Sequence, residues 1–137
     1  YFFKKNRNRY YELLNNIRIK GEFEEWIKFF IDGICEISED AITSIQKIVE
    51  LKNTDMKKIR ELSGSNISNL LLIYDYLLQH PFLEAEDIKN LVGVSKPTAN
   101  KLLENLMTIE IVELVEDKKR YRQYVYKKYV DILSEGT

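Results

Sequence analysis

Cysteine and histidine are almost absent from this chain, and their scarcity restricts its chemistry. The 137 residues include one cysteine, Cys35, and one histidine, His80. A single cysteine can form neither an intrachain disulfide nor a Cys-based zinc site. A single histidine likewise excludes a His-based metal cluster. Because the neighbouring Ile34 and Ile37 are apolar, we expect Cys35 to be a buried, inert thiol rather than a nucleophile.

The chain also lacks a strong charge of either sign and a long apolar run. Its formal net charge is −1, so any surface that binds an anion such as DNA has to be a local patch. No apolar run approaches the roughly 20 residues of a membrane-spanning helix, and no signal-peptide pattern is present. We therefore expect a cytoplasmic protein without a membrane partner. Because the chain starts at Tyr1 within a helical pattern, we also expect it to be the C-terminal piece of a longer protein.

Helical periodicity dominates the first half of the sequence. Residues 1–19 carry apolar side chains on one side and basic ones on the other, and Gly21 ends this pattern. Apolar residues at steps of three and four then predict a long helix over about 22–52, with acidic residues on its outer face. Gly33 lies inside that helix, where it either allows close packing of the first helix or marks a break.

A polar cluster at residues 63–66 is the best candidate for a domain boundary. A third helix is predicted over 55–62, and Gly64 is suited to a helix end just beyond it. We therefore predict a helical unit over 1–64 and a second domain over 67–137.

The second domain has the order of elements typical of a winged helix-turn-helix. Helices are predicted over 67–79, 84–92, 95–108 and 127–134, and the two strands of a hairpin over 112–116 and 121–126. Gly93 supplies the turn between two helices, Ser95 is placed to cap the second of them, and Pro97 falls in its first turn. The predicted fold class is mainly α: a helical bundle segment followed by a winged helix with a small β-hairpin.

Two polar segments of this domain form a candidate DNA footprint. In helix 95–108 an apolar face that includes Ala99, Leu102 and Met107 points inward, which leaves polar side chains outward. Basic side chains at the hairpin tip would contact phosphate, and Asn and Lys of the helix would reach base edges. The candidate DNA-binding residues are Ser95, Lys96, Thr98, Asn100, Lys101, Lys118, Lys119, Arg120 and Arg122. Acidic neighbours such as Glu104 and Glu116 limit the affinity, and the alternative is a protein-interaction or dimerisation module that does not touch DNA.

No motif in the chain supports an enzyme. His80-Pro81-Phe82 also opens the catalytic loop of a nucleotide-transferring family, but acidic residues follow here instead of a glycine-rich turn and an arginine. We interpret His80 as the end of a helix. Glu84, Glu86 and Asp87 then lie at a helix N-terminus, where carboxylates interact favourably with the helix dipole. We expect no catalytic residue, metal or cofactor in this chain.

Partly uncovered aromatic side chains in the first unit suggest self-association. If the aromatic face of residues 1–64 is only partly covered, its exposed apolar surface favours a two-fold homodimer. The aromatic residues of that face are Phe2, Phe3, Tyr10, Phe29 and Phe30.

The combined pattern resembles one family over essentially the whole chain. The segments that carry the resemblance are Tyr1-Phe2-Phe3-Lys4-Lys5-Asn6-Arg7, Tyr10-Tyr11-Glu12-Leu13-Leu14, Gly21-Glu22-Phe23-Glu24-Glu25-Trp26-Ile27-Lys28-Phe29-Phe30, Gly33 and a winged helix that closes on residues 129–137. They resemble the C-terminal region of Fic-family protein adenylyltransferases. This resemblance implies an upstream Fic core that uses ATP and Mg to transfer AMP to a target protein. It also implies that the winged helix binds DNA or regulates that core, its partner in the same polypeptide.

Overall fold

The chain is mainly helical and carries a small antiparallel sheet, as the sequence predicts. A computed structural model describes residues 1–62, 64, 66–116 and 122–135. Its helices are α1 (Phe2–Lys5), α2 (Arg7–Lys20), α3 (Glu24–Glu61), α4 (Ile67–Leu77), α5 (Ala85–Val92), α6 (Lys96–Thr108) and α7 (Lys127–Glu135), and its strands are β1 (Phe82–Glu84), β2 (Glu113–Leu114) and β3 (Gln123–Val125). Contacts divide the chain into unit 1, residues 1–47 with Glu135, and unit 2, residues 48–134.

A cluster of aromatic rings forms the centre of unit 1. Phe2 is only 8% exposed, and its ring centroid lies 5.3 Å from that of Phe3 and 5.2 Å from that of Phe29. Phe2 also contacts α3 at Gly33, where an added Cβ would lie 2.5 Å from Phe2 Cδ1. Of the two roles considered for Gly33, close packing is therefore the observed one.

The first predicted helix is in fact two helices. The chain leaves helical geometry at Asn6 (φ −103°, ψ 27°), and the Asn6 side-chain amide donates a hydrogen bond to the Phe2 carbonyl oxygen at 3.0 Å. This bond competes with the helical backbone pattern, as asparagine side chains often do. The helix α2 ends as predicted at Gly21, which has a φ of +72°.

One 38-residue helix, α3, replaces the two helices predicted over 22–52 and 55–62. A break at Asn53 and Thr54 is what their weak helix propensity favours. In the structure the helix nevertheless continues through both residues, and the next residue, Asp55, is fully buried and accepts a hydrogen bond from Tyr126.

The boundary between the two units falls within α3, at residues 47–48. The sequence places a domain boundary at 63–66 instead, and that boundary stays a prediction. Cys35 on α3 is exposed, so the expectation of a buried thiol is wrong. The apolar residues around it in sequence are themselves exposed on this helix, among them Ile31 and Ile34.

Unit 2 is built on an apolar core to which α3 contributes Ile59. The sheet order is β1-β3-β2, and Tyr124 of β3 pairs with Leu83 of β1 and with Leu114 of β2. The buried residues of this core are Ile59, Leu70, Ile73, Tyr74, Leu77, Leu83, Ile88, Ala99, Leu102, Leu103, Leu106, Ile111, Val112, Tyr124 and Tyr126. The predicted helices of this domain are present with ends displaced by at most two residues, whereas β1 was not predicted.

Candidate nucleic-acid interface

The turn between α5 and α6 has the geometry that the sequence predicts for a helix-turn-helix. Gly93 follows the last residue of α5 with a φ of +68°, and its N–H donates to the Lys89 carbonyl at 3.0 Å. Ser95 is the N-cap of α6: its Oγ accepts a hydrogen bond from the Thr98 backbone N–H at 3.4 Å. Since a left-handed residue and a cap fix both ends of this turn, the start of α6 has a defined position on the core.

The helix α6 buries one face completely and exposes the other. Its buried residues, each at 0% exposure, are Ala99, Leu102, Leu103 and Leu106. Met107, predicted to belong to the same face, is 39% exposed. The burial of one face leaves Lys96, Asn100 and Lys101 exposed together along the first turns of α6, and Thr98 half-buried beside them.

Part of the polar capacity at the α6 N-terminus is already used within the chain. The hydroxyls of Ser95 and Thr98 lie 2.9 Å apart and share a hydrogen bond. These two residues therefore shape the start of the helix, while Lys96, Asn100 and Lys101 keep exposed side chains that can reach a ligand.

The carboxylates at the start of α5 are placed as the sequence predicts. Glu84 is the N-cap of α5, and its backbone N–H donates to Asp87 Oδ2 at 2.7 Å in a capping box. Glu86 accepts a hydrogen bond from Lys89 Nζ at 2.8 Å. This bond from Lys89, and more weakly the charge of Lys96, lowers the pKa of Glu86.

The wing is the hairpin that β2 and β3 form, and the structure describes only its base. Glu113 and Leu114 of β2 pair with Val125 and Tyr124 of β3, and the Val115 N–H donates to the Gln123 carbonyl at 2.9 Å. Arg122 precedes β3 and is exposed. The other three predicted wing contacts, Lys118, Lys119 and Arg120, lie outside the described residues.

His80 lies just after α4, as expected for a residue at the end of a helix. Its backbone N–H donates to the Tyr76 carbonyl at 2.8 Å, and its ring stacks on the Tyr76 ring at a centroid distance of 4.3 Å.

Sequence reasoning missed a buried polar network in unit 2. The Tyr126 hydroxyl donates a short hydrogen bond to Asp55 Oδ2, and the hydroxyls of Tyr126 and Tyr74 lie 2.8 Å apart. Lys58 Nζ lies 3.7 Å from Asp55 Oδ1. A signal was present, because Asp55 is a charged residue midway between the apolar Leu51 and Ile59 at helical steps of four.

This network also changes the acidity of its tyrosines. Burial raises the pKa of Tyr74 to about 12, and the nearby Asp55 carboxylate contributes to the rise. Burial and the hydrogen bond to Asp55 raise the pKa of Tyr126 even further. The network joins α3, α4 and the segment after β3, so it fixes the scaffold on which α6 and the wing base lie.

Two other features, a metal cluster and a membrane span, are absent from the described parts of the chain. Within 1–62, 64, 66–116 and 122–135, no group of three or more His, Cys, Asp or Glu side chains is arranged to hold a metal ion. Over the same ranges, no helix is long and apolar enough to cross a membrane. The cytoplasmic location and the absence of a cofactor stay predictions.

In a comparison with known protein families, the second half of the chain matches one family model. Residues 71–132 match the family model described as sugar-specific transcriptional regulator TrmB. A search of curated proteins gives no match.

This match corrects the resemblance to the Fic family, which is wrong: no Fic match accompanies it. One part of that resemblance, the winged helix, is a fold that serves many unrelated functions. The upstream AMP-transferring core that the resemblance implied is therefore unsupported, and no comparison tests its ATP and Mg. Residues 71–132 are instead similar to a domain of transcriptional regulators.

Proposed function

We propose that unit 2 binds duplex DNA as the winged-helix domain of a transcriptional regulator, with α6 as its recognition helix. The observation that carries the proposal is the exposed row Lys96, Asn100 and Lys101 on a capped helix whose opposite face is fully buried. This row lies within residues 71–132, which match a regulator family. Such a match favours a regulatory role over a catalytic one, and it is consistent with a protein of the cytoplasm.

The first turns of α6 have the donors that base edges require. A helix of this kind enters the major groove and presents its N-terminal residues to the bases. Asn100 can pair with the N6 and N7 atoms of adenine, and Lys101 can donate to guanine. Lys96, closest to the positive end of the helix dipole, is suited to a flanking phosphate.

The wing supplies the remaining predicted contacts. Arg122 at its base, with Lys118, Lys119 and Arg120 in the adjoining segment, would bind phosphates beside the groove. The exposed carboxylates of Glu104, Glu113 and Glu116 add negative charge to the same domain. Because they repel the DNA backbone, we expect modest affinity. The dependence on salt should follow from the phosphates that the basic side chains neutralise.

The test is an alanine exchange with matched controls. Duplexes enriched by the wild-type chain from a random pool serve as the probe, and binding is measured by fluorescence anisotropy. Asn100→Ala and Lys101→Ala should each weaken binding to the enriched site by about 1–3 kcal/mol and alter sequence preference.

The controls are Asn15→Ala and Lys20→Ala, which remove the same exposed side-chain types from α2 of unit 1. They should bind like wild type. Equal loss in all four variants, or failure of the wild-type chain to enrich any duplex, would reject α6 as the reading helix and favour the protein-interaction alternative.

A further inference from the structure

An exposed apolar stripe runs along α3 and has no partner among the described contacts. Six aliphatic side chains of this stripe are large and about half exposed: Ile27 (47%), Ile31 (52%), Ile34 (46%), Ile42 (56%), Ile45 (59%) and Val49 (51%). Exposed Ser38 occupies the middle position. At about 100° per residue, all seven positions fall within a band of roughly 80° around the helix. The stripe therefore lies on a single face of α3 and extends over about 33 Å of helical rise.

The size of this face sets it apart from ordinary surface residues. Single exposed aliphatic side chains are common on proteins, but contiguous patches of several hundred Å² mark interaction surfaces. The stripe is also distinct from the aromatic face from which the sequence predicts self-association. In that face, Phe2 is buried, and the rings of Phe3 and Phe29 pack against one another at 6.1 Å.

The spacing of the stripe is the same when read from either end. Starting at Ile27, the steps are four, three, four, four, three and four residues, so Ser38 is the centre of a palindrome. An antiparallel two-fold pair of helices needs this symmetric spacing. In such a pair, if position i of one copy contacts position j of the other, position j of the first copy also contacts position i of the second. An antiparallel pair centred on Ser38 places Ile34 against Ile42, Ile31 against Ile45, and Ile27 against Val49.

We propose that this stripe is the interface between two copies of the chain, whose α3 helices pair antiparallel about a two-fold axis at Ser38. Charge complementarity supports this arrangement. Glu24 and Lys52 lie equally far from Ser38 in sequence, and both are exposed at the ends of the stripe. The antiparallel pair places each Glu24 beside a Lys52, whereas a parallel pair would place like charges together.

A stable interface buries about 800 Å² on each partner. Six large aliphatic side chains, each about half exposed, are the apolar surface that this face offers to such an interface. The small Ser38 at the axis allows close approach of the two helices. This inference does not rest on DNA binding, and its tests use no DNA.

The first test is sedimentation of the full chain over a wide concentration range. The wild type should dimerise, and Ile34→Glu should raise the dissociation constant at least about a hundred-fold, because a two-fold interface contains each substitution twice. The matched control is Ile19→Glu, which charges an exposed isoleucine of α2 and should leave the dimer unchanged. A monomeric wild type, or equal effects of the two variants, would overturn the proposal.

The second test determines the direction of pairing. In a Cys35→Ser background, Ile31→Cys chains mixed with Ile45→Cys chains should be joined by a short bis-maleimide far more efficiently than either variant with itself. Charge reversal adds an independent readout: Glu24→Lys and Lys52→Glu should each weaken the dimer, and the double variant should restore it. Cross-linking of each variant only with itself would overturn the antiparallel arrangement.

Discussion

At the scale of single residues, a buried carboxylate is the least expected feature of the chain. Asp55 is fully buried, yet among the residues that the structure describes its Oδ1 atom has no hydrogen-bond partner and only Lys58 Nζ within ion-pair distance. A buried carboxyl group depends strongly on the few polar groups that face it. The Tyr126 hydroxyl is therefore the critical donor to Asp55, and the Tyr74 hydroxyl forms a hydrogen bond with the Tyr126 hydroxyl.

Removal of the two hydroxyls should have unequal effects. Tyr126→Phe deprives Asp55 of its donor, so we expect it to lower the free energy of unfolding by about 2–3 kcal/mol. Tyr74→Phe leaves that hydrogen bond in place and should cost about 1 kcal/mol. Urea unfolding of both variants at neutral pH measures the difference. A larger loss of stability for Tyr74→Phe would contradict the assignment of Tyr126 as the donor to Asp55.

The same tyrosines predict how stability depends on alkaline pH. The folded-state pKa of Tyr74 is raised from its ordinary 10.0 to about 12, so between these values the folded state holds a proton that the unfolded state has lost. Its contribution is complete below pH 10 and is lost as the pH rises to about 12, with a limiting slope near 1.4 kcal/mol per pH unit.

Urea unfolding across this range should therefore show a shallower decline for Tyr74→Phe than for wild type. Tyr11→Phe, which changes a tyrosine that is 55% exposed, should follow the wild-type curve. Parallel curves for all three proteins would exclude Tyr74 as the source of the dependence.

At the scale of elements, local signals are enough to predict the helix-turn-helix. Gly93 and Ser95 act through their own backbone and cap geometry, so they show in the sequence without knowledge of the fold. Elements that depend on distant partners do not show in this way. The strand β1 has only three residues, too few for a periodic pattern, and it forms by pairing with β3. The tertiary contact of Asp55 with Tyr126, which lies 71 residues further along the chain, likewise has no local signal.

The packing of α1 on α3 predicts that the effect of Gly33→Ala on stability changes sign when the Phe2 ring is removed. Gly33→Ala should destabilise unit 1 by about 1–3 kcal/mol, because the new methyl group overlaps the Phe2 ring and overpacks the contact. When Phe2→Ala has removed that ring, the same substitution should stabilise the chain by up to about 1 kcal/mol through helix propensity. Thermal unfolding of the four proteins provides the comparison. The same sign in both backgrounds would argue against the overlap.

At the scale of the whole molecule, fold class is more predictable than family. Hydrophobic periodicity and turn chemistry determine a mainly helical chain with a winged-helix domain, and the structure has both. Family depends on finer sequence detail, and the match over residues 71–132 replaces the resemblance to Fic proteins. The candidate site is predictable on α6, where one face must be buried. In the sequence, the exposed stripe of α3 has the same periodicity as a helix face that packs against the core. Periodicity alone does not show which apolar faces are covered by the rest of the chain.

The central claim, that unit 2 binds DNA through phosphates and base edges, is tested most directly by the salt dependence of binding. Fluorescence anisotropy with labelled duplex should show log affinity falling linearly with log salt, with a slope of about −0.9 per phosphate bound. A triple variant, Lys118→Ala, Lys119→Ala and Arg120→Ala, should bind every sequence more weakly, with a slope flatter by about 0.9 for each phosphate that is no longer neutralised. No binding at low salt, or equal binding by both proteins without a salt slope, would contradict the account.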